Sequence, residues 1–309
     1  MTYNQQIPQF GKMKKKQQQI NVLDHGFVRL IDVMGTDDSV VQAARVSYGD
    51  GTKTVNTDRN LIRYLMRHEH TTPFEMCEVK FHIKLPIFVM RQLIRHRTAS
   101  VNEYSGRYSI MSNEFYIPET FESQSKVNNQ GRGKPLDDIQ GKLHWDFKTS
   151  SKLAYEKYEE LLEHDLAREL ARAVLPVSNY TEAYWKCNVK NFLHMIRLRA
   201  DSHAQWEIQE YANAMYKLVK PKFPVICEAY EDYQQEAVKL SRGEAELTKA
   251  IFGNYMDEWD DYITDWYEQP DISEESVKEA EKLLCKEFGL SKRELTEFKN
   301  KWESVTTIN

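Results

Sequence analysis

Residues 78–85, Glu-Val-Lys-Phe-His-Ile-Lys-Leu, alternate polar and apolar side chains without interruption until Pro86. A period of two puts Val79, Phe81, Ile83 and Leu85 on one face of a strand and the polar residues on the other. Pro86 suits the first turn of a following helix, Pro-Ile-Phe-Val-Met-Arg-Gln-Leu-Ile-Arg-His-Arg. A second strand is expected at 26–33, then a helix at 39–46 capped by Ser39. Residues 57–68 set Leu61, Ile62, Leu65 and Met66 on one helical face, with Thr57 as the cap. Two long amphipathic helices are expected, one over 150–175 that stops before Pro176 and one from about 188 to 220, bounded by Pro221.

Other segments lack such periodicity. Residues 1–19 are rich in Gln and Lys and read as a mobile arm, in which Lys14, Lys15 and Lys16 could form a weak phosphate patch. The polar stretch 119–142 reads as a long loop that covers a site. Beyond 250, Trp259, Trp266 and several tyrosines sit among acids, followed by short helices at 273–288, ended by Gly289, and 292–303, opened by the capping box Ser291 to Glu294. No internal repeat is present. The expected organisation is an arm (1–19), a main domain (20–250) and an acidic helical extension (251–309).

Composition removes several function classes. With 41% hydrophobic and 29% charged residues, the 309-residue chain can fill a sizeable core. No apolar run approaches the ~18 residues of a membrane span, and the N-terminus has no apolar signal core, so no membrane partner is expected. Cys77, Cys187, Cys227 and Cys285 lie far apart with no zinc-type spacing, which reads as free thiols in a reducing cytoplasm. Neither GxGxxG nor GxxxxGK[ST] occurs, which removes the usual glycine-loop nucleotide cradles. Residues 251–309 carry 15 acidic and 7 basic side chains, a balance of −8; residues 1–250 carry 35 basic and 32 acidic, a balance of +3. That suits a local pocket for small anions better than a bulk nucleic-acid surface.

The densest polar cluster runs from Arg95 to Tyr108: Arg-His-Arg-Thr-Ala-Ser-Val-Asn-Glu-Tyr-Ser-Gly-Arg-Tyr. One arginine at a helix C-terminus answers the helix dipole, but that does not account for Arg95, Arg97, Arg107, His96, Asn102, Glu103 and Ser105 together. If 103–108 is extended, Glu103, Ser105 and Arg107 share a face suited to a phosphorylated, hydroxylated ligand. A second cluster lies in 170–203. Arg172 sits near a helix end, and Asn188 and Arg199 fall within about 20° of each other on one helix. His194 lies about 120° around it, and His203 is one turn from Arg199. Taken alone, this stripe reads as an ordinary exposed face rather than a site. His68-Glu69-His70 would place two imidazoles on one strand face, but no HExxH-type companion supports a metal, and none is expected. No cysteine neighbours an activating set of side chains, and each reads as a small buried hydrophobe.

These residues resemble the flavin-dependent thymidylate synthases, whose signature is Arg-His-Arg, seven residues, then Ser; here it reads Arg95-His96-Arg97 through Ser105. HEHTTPFE (68–75), ELARAVLP (169–176) and LRADSHAQWEI (198–208) match in order, and the likeness spans about 25–245. The resemblance implies α+β subunits, a mixed or antiparallel sheet packed with long helices, joined as a homotetramer with active sites between subunits. It implies FAD, with dUMP, methylenetetrahydrofolate and NADPH as substrates. By motif position, Thr72, Arg95, His96, Arg97, Glu103, Asn188, Lys190 and His194 would hold FAD. Gln92, Arg95, Glu103, Ser105, Gly106, Arg107, Arg172 and Arg199 would surround dUMP, with Arg199 and Ser105 catalytic. Met76 departs from a frequent His, and Lys190 from a frequent Arg.

The chemistry agrees with the residues. Uracil C5 is a poor nucleophile; a guanidinium stabilising charge on the N3/O4 side, with flavin as hydride source, removes the need for a protein thiolate. Arg107 and Arg172 offer forks for a 5′-phosphate. Two alternatives share parts of this pattern: a pyrimidine-nucleotide C5 hydroxymethyltransferase, and a nucleic-acid-binding protein stacking bases on Tyr104 and Tyr108, which the negative net charge disfavours.

Overall fold

The computed structural model describes residues 18–46, 58–126, 131–239, 274–287 and 291–296. The chain divides into two compact units, Met1–Ala237 and Val238–Asn309. In the first, strands β1 (Gln19–Val22), β2 (Gly26–Met34), β3 (Glu78–Pro86), β7 (Tyr180–Asn188) and β4 (Ser100–Glu103) form one sheet in that spatial order. Every neighbouring pair is antiparallel.

The alternation in β3 does what its period requires. Val79, Phe81, Ile83 and Leu85 are fully buried. They meet the inward residues of β7, with Val79 opposite Cys187, Phe81 opposite Trp185 and Ile83 opposite Ala183. Each such side chain contributes about 1.5–3 kcal/mol by leaving water. The other face carries cross-strand charges, Lys186 to Glu78 at 2.9 Å and His82 to Glu182 at 2.8 Å.

Helices cover the apolar face: α1 (Asp37–Arg45), α2 (Asp58–Arg67), α3 (Thr72–Glu75), α4 (Ile87–Leu93), α7 (Val189–Arg199), α8 (Trp206–Val219) and α9 (Pro224–Tyr230). Leu61, Ile62, Leu65 and Met66 of α2 are buried as their spacing predicts. A smaller cluster of Met111, Phe115, Tyr155, Tyr158 and Ala171 packs beneath α5 (Gln140–Glu163) and α6 (Arg168–Ala171).

Several boundaries differ from the sequence reading. Helix α1 starts at Asp37 with Thr36 as its cap; Ser39 is the third residue, and its Oγ accepts from the Thr36 N–H at 3.0 Å. Thr57 lies outside the described residues. Pro86 ends β3 and caps α4 rather than lying in its first turn. The 150–175 helix begins ten residues earlier in α5 and ends at Glu163, because Asp165 takes a left-handed φ of 58°. Its early turns escape the pattern because Trp145 and Phe147 are exposed. The single helix expected at 188–220 is α7 and α8, broken where Asp201 Oδ1 accepts from the His203 N–H at 2.8 Å.

The stretch 119–142 is not a structureless loop. It holds a hairpin of β5 (Glu122–Gln124) and β6 (Arg132–Pro135), with 127–130 outside the described residues. The Gln140 amide closes its base like a backbone group, accepting from the Phe121 N–H at 2.8 Å and donating to the Phe121 carbonyl at 2.6 Å. Strand β1 starts at Gln19, inside the expected arm, while 1–17, with the lysine patch, lie outside the described residues.

In the second unit, α10 (Glu274–Glu287) matches the expected helix, with Gly289 outside the described residues. The capping box is formed: the Ser291 N–H donates to Glu294 Oε2 at 2.6 Å, and the Glu294 N–H donates to Ser291 Oγ at 3.2 Å. The rest of that helix and Trp259 and Trp266 lie outside the described residues. Among the described residues, no helix is long and apolar enough to cross a membrane.

Candidate active site

Helix α4 ends at Leu93, and a turn carries Arg95 and His96 towards the last residue of α7, Arg199. Arg199 Nε donates to His96 Nε2 at 2.9 Å. The imidazole must therefore keep a lone pair on Nε2 and its proton on Nδ1. Burial, then the charges of Arg199 and His194, push the His96 pKa down to about 4, which favours this neutral form. Arg199 is held below its usual range by burial and by Arg95, whose charge lies close by. The terminal nitrogens of Arg199 make no hydrogen bond among the described residues, and with Gln92, Arg197, His203 and Gln205 the residue lines a cavity of about 390 Å³.

A second cavity, about 220 Å³, shares Arg197 with the first. Lys190, His194 and Arg197 supply polar and cationic groups, while Leu65, Met66, Phe74 and Leu193 make an apolar floor. Thr72 lines an adjoining cavity with Thr71, Pro73 and Met76. Asn188 caps α7, its Oδ1 accepting from the Asn191 N–H at 2.9 Å, so it precedes the helix instead of sharing a face with Arg199. His203 likewise leaves the Arg199 face, because the helix has ended, and pairs with Asp201 at 2.9 Å. Arg97 is exposed.

His68 and His70 lie in the turn after α2, where Glu69 has a φ of 56°, not on a strand. Their rings are 6.3 Å apart and pack against Tyr64. Among the described residues, no group of three or more His, Cys, Asp and Glu could hold a metal.

The third group follows β4. Glu103 accepts from Thr181 Oγ1 at 2.9 Å. Residues 104–109 are not extended: the Tyr108 and Ser109 N–H groups both donate to the Ser105 carbonyl at 3.1 Å, closing a turn. Glu103, Ser105 and Arg107 therefore do not share a strand face. The Arg107 N–H donates to Ser105 Oγ at 3.4 Å, and its guanidinium lies 5.3 Å from the Tyr108 ring centroid. Gly106 is buried, and a side chain there would meet Met111 Sδ at 2.9 Å and Arg172 Cδ at 3.1 Å. Arg168, which sequence reasoning missed, donates to the Tyr108 carbonyl at 2.8 Å. Its i, i+4 spacing from Arg172 was the available signal. Three guanidinium groups around one turn suit a phosphate.

The two halves remain apart in one chain. Among the described residues no hydrogen bond or ion pair joins the Gly106 turn to Arg199, and the Arg199 cavity includes no residue of that turn. The cysteines take no part in either half. Cys77, Cys187 and Cys227 are buried. Burial raises all three thiol pKa values, that of Cys227 to about 12.

A family model described as thymidylate synthase complementing protein matches residues 29–225. A flavin-dependent thymidylate synthase of Wolbachia pipientis wMel is 52% identical over 233 residues, 74% of this chain and 82% of the relative. One from Ruegeria pomeroyi is 56% identical over 227 residues, 71% of this chain and 75% of the relative. Among solved structures, a UMP/dUMP methylase PolB from Streptomyces cacaoi, bound with 5-Br dUMP, superimposes with a TM-score of 0.63 at 35% identity. That match covers 70% of this chain and 99% of the other.

Proposed function

The chain belongs to the flavin-dependent thymidylate synthase family, and on that premise we propose that it converts dUMP to dTMP, with methylenetetrahydrofolate as carbon donor and NADPH as reductant. The observation that carries this reading is the Arg199 guanidinium, fixed through Nε by a neutral His96 and otherwise free to meet a ligand in the cavity it shares with Gln92.

Arg199 binds the N3/O4 side of uracil and stabilises the negative charge that grows as C5 becomes nucleophilic. His96, holding Nε, leaves the two terminal nitrogens as a planar fork for that task. Arg107, Arg168 and Arg172 around the Gly106 turn take the 5′-phosphate, and Ser105 supplies a hydroxyl beside it. No thiolate is required of the protein, in keeping with three thiols that burial holds protonated.

The cavity floored by Leu65, Met66, Phe74 and Leu193 and edged by Lys190, His194 and Arg197 takes one part of a flavin dinucleotide: the cations suit its pyrophosphate and the floor an adjoining ring. Thr72 extends that surface in the adjoining cavity, Arg95 and Arg97 are assigned to the flavin by motif position alone, and Lys190 keeps the charge of the Arg it replaces. Bound flavin supplies the hydride that completes the methyl group.

The separation of the phosphate turn from the Arg199 cavity within one chain supports a site assembled between chains, and the homotetramer is what the family resemblance implies. Strand β4, exposed along its whole length at the sheet edge, accords with such a partner. The acidic segment 251–309 is accessory to the catalytic unit, and the enzyme works in the reducing cytoplasm. The test is to incubate the FAD-loaded protein with dUMP, methylenetetrahydrofolate and NADPH and to weigh the product. A gain of one CH2 over dUMP supports the reading; a further oxygen indicates hydroxymethyl transfer, and no conversion contradicts both.

A further inference from the structure

Glu207, in the first turn of α8, is 2% exposed although it carries a carboxylate. Such a group needs partners, and it has them on two sides. Arg132 of the β5–β6 hairpin pairs with its Oε1, and that guanidinium also lies 5.4 Å from the Trp206 ring centroid. Gln205 Nε2 donates to its Oε2 at 2.9 Å. Gln205 Oε1 in turn accepts from Gln92 Nε2 at 2.5 Å, and Gln92 and Gln205 both line the cavity that holds Arg199.

The direction of this chain is set at one end. Carboxylate oxygens accept and do not donate, so the Gln205 amide must turn its NH2 towards Glu207. Its oxygen then faces Gln92 and can only accept, which turns the Gln92 NH2 towards Gln205. Gln92 is left with its amide oxygen, and beside it the one N–H that Gln205 does not use. An unrestrained glutamine could flip and exchange the two groups; this one is held with its oxygen turned away from Gln205, where it can accept from an N–H or O–H.

We propose that Gln205 and Glu207 are positioning residues that fix the amide orientation of Gln92 and thereby make it an acceptor towards the nucleotide. The inference rests on the reading of the Arg199 cavity as the dUMP site. Arg132 ties the same chain to the hairpin, so the hairpin anchors Gln92 without touching it.

The test is a double-mutant cycle read by calorimetric dUMP binding to the FAD-loaded full-length protein: wild type, Gln92→Met, Gln205→Met and the double variant. Gln205 is exposed, so Gln205→Met should keep the melting temperature and the flavin content. Its dUMP affinity should nevertheless fall roughly five- to tenfold, the scale of one hydrogen bond. Because the two glutamines act as one unit, the double variant should bind no more weakly than Gln92→Met alone. Unchanged affinity in Gln205→Met, or losses that multiply in the double variant, would overturn the proposal while wild-type binding upholds the dUMP reading. A wild-type protein that binds no dUMP overturns that reading and this inference with it.

Discussion

Arg199 Nε donates to His96 Nε2 across 2.9 Å, a bond that exists only while the imidazole is neutral. The His96 pKa, lowered to about 4, places its protonation well below that of an exposed histidine. Between those two values the unfolded chain binds a proton that the folded one does not. Stability contributed by this site is therefore complete above about pH 6.5 and is lost as pH falls through about 4. Replacing His96 by Gln keeps an acceptor for Arg199 but removes the titration. Denaturant unfolding of both proteins from pH 7.5 to pH 4 should show a smaller acid loss in His96→Gln, and equal slopes would contradict the assignment.

Two glycines separate folding from binding. An added Cβ at Gly26 would lie 1.9 Å from Tyr211 Oη and within 2.8 Å of the Val22 and Lys84 carbonyls, which cannot yield. Gly26→Ala should cost about 3 kcal/mol, visible as a lowered melting temperature. At Gly106 the neighbours are side-chain atoms, Met111 Sδ and Cγ and Arg172 Cδ, which can shift where a backbone carbonyl cannot. Gly106→Ala should melt near wild type yet bind dUMP about tenfold more weakly, because Arg172 is displaced from the phosphate.

The cysteines should be dispensable for chemistry. Replacing all four by Ala, in a protein that still folds, should leave dTMP formation largely intact. A loss above ~100-fold, equal to ~2.7 kcal/mol of transition-state stabilisation, would show that a thiol carries the electron flow instead. Alkylation of the native protein by iodoacetamide should be slow at Cys77, Cys187 and Cys227, which are buried and protonated.

Deleting 270–309 should spare flavin content and dUMP affinity while lowering stability. The acidic balance of this extension has the wrong sign for phosphate ligands. Ligand affinity that vanishes in a still-folded protein would assign the extension to the site.

Where a local rule decided the structure, the sequence was readable. The unbroken alternation of 78–85 became the central strand because Val79, Phe81, Ile83 and Leu85 had one face to bury. The α7–α8 break was hidden because no Gly or Pro marks it; the turn is made by the Asp201 side chain. In the site, the Arg95 to Arg107 cluster stood out by density, and Arg199 by its motif. Arg132 and Glu207 did not, because their pairing spans 75 residues and each looks like an ordinary surface charge in its own segment. The face shared by Glu103, Ser105 and Arg107 was misread because the Ser105 carbonyl closes a turn that the period of a strand cannot anticipate.

In the proposed reaction Arg199 is the group that activates uracil. The most direct measurement is single-turnover dTMP formation with prereduced flavin at saturating dUMP, comparing wild type, Arg199→Ala and Arg199→Lys. Losing one preorganised donor of this kind costs ~10²–10³ in rate, so Arg199→Ala should fall by that factor. Arg199→Lys keeps the charge without the planar fork and should recover only part of it. Flavin binding and NADPH oxidation should persist in both, since neither needs uracil activation. A solvated helix arginine would instead leave the rate alone, and dTMP formed by Arg199→Ala at the wild-type rate would contradict the account.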